Sequence, residues 1–228
     1  MTLPKKCSMP PLDQDIGGLR MHALLTDTFI ITPDITPAQR KWRSWLVHCL
    51  VKTARHYEEA RDLVLAQINE STRPPEDLAK GRLLPLIDFS LEMEDCITSL
   101  DKAITCIYAL AKNNTLPAAA VVRLENEVKT LKRFRNKQEH MHNHIANGQT
   151  GDGPIMVMVA DDGDSMRLLK LTMPFTSVYR LVDALYRDVL QFFPDFTASG
   201  PGARKGTPQV SITGVLINTP GRAVMSDS

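Results

Sequence analysis

Apolar residues between Trp42 and about Asn69 recur at helical spacing: Trp42, Trp45, Leu46, Cys49, Leu50, Tyr57, Ala60 and Val64 form one stripe. Thr36 is placed to cap this helix and Pro37 to take its first position, while "STRPPED" ends it. The rhythm returns at Leu86, Phe89, Met93, Ile97, Leu100, Ile104, Ile107 and Leu110, and it stops at "AKNNTLP". A third helix is expected from near Pro117, with Val121, Leu124, Val128 and Leu131 on its seam, ending at "ANGQTGDG". Short connections between long helices make neighbours antiparallel.

The period then changes. "IMVMVA" and "MRLLKLTM" flank "DDGD", the pattern of a β-hairpin at about 153–173 with its turn near Asp161 to Asp164. A fourth helix follows Pro174 and aligns Val178, Leu181, Val182, Leu185, Val189 and Phe192. The pattern therefore predicts a mainly α protein: an antiparallel four-helix bundle over 37–194 with a small β-hairpin between helices three and four. Residues 1–36 read as an N-terminal arm with a short strand at "TDTFIIT" (Thr26 to Thr32). Residues 195–228 are rich in Gly, Pro and Ser and read as a flexible tail, with a strand candidate at 210–217.

Composition narrows the function. The chain has 228 residues and a formal net charge of +1, so no global field draws it to nucleic acid and any such binding must use a local patch. No run of about 18 apolar residues exists to span a bilayer, and no export signal is apparent, which together lead to a cytoplasmic expectation. The four cysteines form no CxxC pair, and Cys96 and Cys106 would sit about 15 Å apart along one helix, so reduced core cysteines are expected. The motifs imply no cofactor.

The densest chemistry lies in "LKRFRNKQEHMHNHIANG", Leu131 to Gly148, which holds three of the six histidines. Continuing the third helix's seam gives Arg135, Gln138, His142 and Ile145, so polar groups follow the stripe that apolar ones held earlier. At about 100° per residue, Lys129, Arg133, Asn136, His140 and His144 share another face, with Lys132 and Lys137 at its margins. This basic face is suited to phosphate, with Lys129, Lys132, Arg133 and Lys137 as the contacts, and equally to a solvated face at a helix C-terminus.

"RNKQEH", Arg135 to His140, resembles the motif of the HEPN superfamily (higher eukaryotes and prokaryotes nucleotide-binding), in which Arg and His stand four to six residues apart with a polar residue after the Arg. Asn136 is that polar residue here. Arg43 and His48 meet the same spacing, but Trp45, Leu46 and Val47 between them read as packing. The resemblance implies a helical bundle, often a homodimer, acting as a metal-independent endoribonuclease in toxin or defence systems, with an antitoxin as a possible partner and RNA as substrate. It assigns Arg135 to stabilising phosphoryl charge and His140 to general base, with Asn136, Glu139 and His142 in support.

Helix geometry leaves the histidine open: Arg135 and His140 would point about 140° apart on an unbroken helix, whereas Arg135 and His142 lie within about 20°. Glu139 and His142 also have the Glu-x-x-His spacing of carboxylate metal bundles, but no second copy occurs, so no metal is expected. The remaining alternative is a non-catalytic helical module that binds a partner protein or a nucleotide. His22, His48 and His56 stand alone and read as filling.

Overall fold

Thr36 starts the longest helix as the sequence requires. Its hydroxyl accepts from the Gln39 N–H at 3.2 Å while Gln39 Oε1 accepts from the Thr36 N–H at 2.9 Å, a reciprocal capping box. In this computed structural model, which describes residues 6–29, 36–79, 81, 84–116, 118–151 and 154–197, the described elements in chain order are α1 (Ile16–Phe29), α2 (Pro37–Ser71), α3 (Pro75–Leu78), α4 (Leu86–Lys112), a 3-10 turn (Val121–Arg123), α5 (Glu125–Glu139), α6 (Met141–Ala146), β1 (Met158–Val159), β2 (Ser165–Leu168), β3 (Leu171–Pro174) and α7 (Phe175–Leu190). The protein is mainly helical with a small antiparallel sheet, in agreement with the coarse expectation.

α2 and α4 form the most extensive helix pair. Gln67 meets Leu86, His56 meets Glu92 and Lys52 meets Asp95, an order that makes the two helices antiparallel. α5 runs antiparallel to α4 (Arg135 with Asp101, Lys132 with Tyr108), and α7 antiparallel to α5 (Arg180 with Glu127). One apolar core joins them. Its largest fully buried side chains include Tyr57, Phe89, Phe134 and Phe175, one from each of these four helices. Buried Asp188 of α7 accepts the N–H groups of Ala120 and Val121, at 3.0 Å for Val121, and so fixes the 3-10 turn that leads into α5.

Four sequence expectations are corrected. Thr26 to Phe29 belong to helix α1 rather than to a strand, because Ile16, Leu19, Ala23 and Thr26 supply a buried helical stripe; Ile30 to Thr32 lie outside the described residues. Trp42 and Trp45, assigned to the core stripe, are 38% and 44% exposed. The third helix begins at Glu125, after the 3-10 turn that carries Val121, rather than near Pro117, and it is interrupted at His140, whose φ of −105° and ψ of 18° are not helical. The second hairpin segment is split: Leu168 pairs with Leu171 across a two-residue turn in which Leu169 takes a φ of 53°, so two strands stand where one was expected. The strand candidate at 210–217 lies outside the described residues.

The "DDGD" turn is where expected, and it holds down the N-terminal segment. Gly163 has a φ of 70°, and a Cβ there would come within 2.1 Å of the Lys6 carbonyl oxygen. Its own carbonyl accepts the Ser8 N–H at 3.1 Å, and Asp164 accepts from Ser8 Oγ at 2.7 Å and pairs with Lys6 at 3.2 Å. Among the described residues no helix is long and apolar enough to cross a membrane.

Candidate functional site

α5 buries only Val128, Leu131 and Phe134, so its seam leaves the core just before the motif begins. Gln138 is half-buried, while His142 and Ile145, the seam's later positions, are exposed. Arg135 sits at this exit. Its side chain is 36% exposed, its Nη2 is 2.6 Å from Glu139 Oε1, its Nε is 3.7 Å from Asp101 Oδ2, and its Nη1 donates to Asn136 Oδ1 at 3.4 Å. Asp101 comes from α4 and its residue is 8% exposed, so the core side of the guanidinium faces a nearly buried carboxylate. Asp101 Oδ1 and Gln138 Oε1 are buried without a hydrogen-bond partner.

No histidine is among the described partners of Arg135. His140 closes α5 by donating its backbone N–H to the Asn136 carbonyl at 3.1 Å, and its carbonyl accepts from Asn143 at 3.0 Å, so it is at once the end of α5 and the start of α6. The angle expected for an unbroken helix therefore does not extend to His142. The rings of His140 and His142 are in no described hydrogen bond or ion pair and both residues are exposed, whereas His144 Nδ1 lies 2.8 Å from Gln149 Oε1. Glu139 turns to Arg135 rather than to either histidine.

The expected phosphate contacts divide. Lys129 is paired with Glu125 at 2.7 Å, and Lys132 lies over the Tyr108 ring, 5.4 Å from its centroid. Arg133 is exposed and Lys137 half-buried, and both lack a described ion pair. Burial pushes the thiols up, to about 11 for Cys49 and further for Cys96, so neither supplies a thiolate nucleophile near neutral pH.

A second surface was not found by sequence reasoning. Two adjoining hollows of about 680 and 560 Å³ share Asp27, Ser44 and His48 along α1 and α2. Arg40, Lys41 and Trp45 line one, and Arg20, Lys52, Arg55 and His56 line the other. Trp45 and His48 stack with centroids 5.5 Å apart and planes at 22°. Arg43 does not join them: it is buried, paired with Asp27, and its guanidinium lies 4.8 Å from the Phe193 ring centroid, so the packing reading fits Arg43 but not Trp45 and His48, which are exposed. The available signal was the run Arg40, Lys41, Trp42 and Trp45 at the start of α2, whose two tryptophans periodicity assigned to the core.

His56 is also not alone. Its Nδ1 is 2.6 Å from Glu92 Oε2, and Glu59 and Asp95 each approach the ring to 3.9 Å. The acids of α4 thus face α2 at Glu92 and Asp95 and face α5 at Asp101. No protein family model matches the chain, and neither a curated protein nor a solved structure matches it.

Proposed function

We propose that the chain is a HEPN-like, metal-independent endoribonuclease or RNA-binding protein of the cytoplasm, working as a homodimer, whose site is the end of α5. The observation that carries this is Arg135: a guanidinium held by Asp101 and Glu139, one third exposed, with the rings of His140 and His142, in no described hydrogen bond or ion pair, following within seven residues. The antiparallel set α2, α4, α5 and α7 serves as the four-helix HEPN bundle in this reading.

The chemistry uses the RNA's own nucleophile. Neutral His140 takes the proton of the 2′-hydroxyl, the 2′-oxygen bonds to phosphorus, the bond to the 5′-oxygen breaks, and a second acid, His142 or a partner's histidine, protonates the leaving oxygen. Arg135 stabilises the charge that builds on the phosphoryl oxygens, and Glu139 fixes its direction. A toxin or defence role restrained by an antitoxin follows from the same reading.

A second reading is favoured by one observation, the stacked Trp45 and His48 between the cations of the α1–α2 groove. Cations beside an exposed aromatic ring suit a single strand or a nucleotide without chemistry. Labelled single-stranded RNA incubated with the full chain in EDTA separates the two. Cleavage that disappears in R135A and H140A while their thermal melts match the parent supports the ribonuclease. Binding without cleavage, lost in W45A and kept in R135A, replaces it with the second reading.

A further inference from the structure

His56 and Glu59 lie one turn apart on α2, and Glu92 and Asp95 lie one turn apart on α4. The antiparallel packing of the two helices turns these four residues toward each other. One ligand atom each from His56, Glu59 and Glu92 can be chosen so that all lie within 4.8 Å of one another. Shielding falls off across the set, from the His56 side chain at 13% exposed through Glu92 at 27% to Glu59 at 41%, so the ring is covered and the carboxylates open to solvent.

Two carboxylates this close beside an imidazole repel unless a proton or a cation lies between them. The nearby cations act from outside: Arg55 Nε holds Glu59 Oε1 at 2.8 Å, and Lys52 Nζ holds Asp95 Oδ1 at 3.3 Å. Neither is a described partner of Glu92, which turns instead to the His56 ring. We infer that His56, Glu59 and Glu92 form a binding site for one divalent transition-metal ion at His56 Nδ1, while Asp95, which faces Nε2 at 3.9 Å, orients the ring from its other side.

The donor set selects the class. One imidazole nitrogen with oxygens from two carboxylates suits Mn²⁺, Fe²⁺ or Zn²⁺ and departs from the all-oxygen shells of Ca²⁺ and Mg²⁺. Ligand atoms about 2.0–2.2 Å from a common ion stand roughly 3–4 Å from each other. Binding therefore requires Glu92 to back away from the ring and the wider members to close in by under about 1 Å, which side-chain rotation provides. His56 also lines the groove between α1 and α2, which gives the ion a path from solvent. The site belongs to a different helix pair from Arg135 and stands whether or not the α5 site cleaves RNA.

The test uses the full chain, stripped with a chelator and exchanged into metal-free buffer. Titration with Co²⁺, read by visible absorption, is expected to saturate at one ion per chain and to be reversed by Zn²⁺, which also raises the melting temperature. H56Q and E92Q should each weaken binding at least tenfold while keeping the parent circular dichroism, and H140A/H144A should leave it unchanged. Absent absorbance change and absent melting shift at millimolar metal overturn the site and leave an imidazolium–carboxylate pair. So does undiminished binding in H56Q/E92Q.

Discussion

Asp101 and Arg135 meet across the α4–α5 contact with Oδ2 3.7 Å from Nε, and the other oxygen of the same carboxylate is buried without a donor. The acid is more buried than the base, at 11% against 36% side-chain exposure, so the two partners are not equivalent. R135A strands a shielded carboxylate, whereas D101A leaves an arginine that still holds Glu139. Removing the arginine is expected to cost more stability than removing the acid, with a coupling of about 1 kcal/mol in a double-mutant cycle by urea unfolding. A coupling near zero would mean that Asp101 does not position Arg135.

Arg43 is expected to matter for folding and not for RNA. It is 2% exposed, paired with Asp27 and stacked on Phe193, so R43A leaves a shielded acid and an empty space together. The expected cost is about 3 kcal/mol in chemical denaturation. Any RNA activity per folded molecule should remain at the parental level, and a selective loss of activity would move the Arg–His site to α2.

Acid should release the N-terminal segment. The Ser8 hydroxyl first, and Lys6 next, hold the Asp164 carboxyl below its ordinary range. A carboxylate with a depressed folded pKa contributes stability above its unfolded value of about 3.9, and that contribution is lost as pH falls through the lower folded value. Thermal melts from pH 5 to pH 2 should show the parent's advantage over D164N shrinking with acid. Parallel curves would contradict the clamp.

The α1–α2 groove offers an intrinsic probe, because Trp42 and Trp45 are the chain's two tryptophans and both are exposed. Single-stranded RNA or a nucleotide stacking at Trp45 should quench emission. W45A should lose both the quenching and about 1–3 kcal/mol of binding per stacked base. Quenching that persists in W45A and vanishes in W42A would place the contact outside the groove.

Much of the fold was legible in the sequence because its signals are local. The Thr36–Pro37 start is a local cap, and α7 buries Val178, Leu181, Val182, Leu185 and Val189 as its stripe predicts. α1 was missed because Gly17, Gly18 and a run of threonines argue against a helix that tertiary packing nevertheless imposes. His140 ends α5 without a proline or glycine to announce it. The motif residues Arg135, Asn136 and Glu139 were legible as one group, since they lie on one helix. The His56 cluster was not, because His-x-x-Glu on α2 and Glu-x-x-Asp on α4 each supply half, and only the pairing of the helices joins them.

The clamp at Gly163 has a kinetic meaning. Ser8 is fastened to Asp164, Asp13 to Tyr179 and Gln14 to Asp183, so these points of the earliest described stretch wait for partners more than 150 positions later. Loops of that span close late. A nascent chain emerging from the ribosome would first meet α2, where Glu58, Tyr57 and Arg61 hold Leu12, Pro10 and Met9, and would be fastened at Ser8, Asp13 and Gln14 only once α7 has been made.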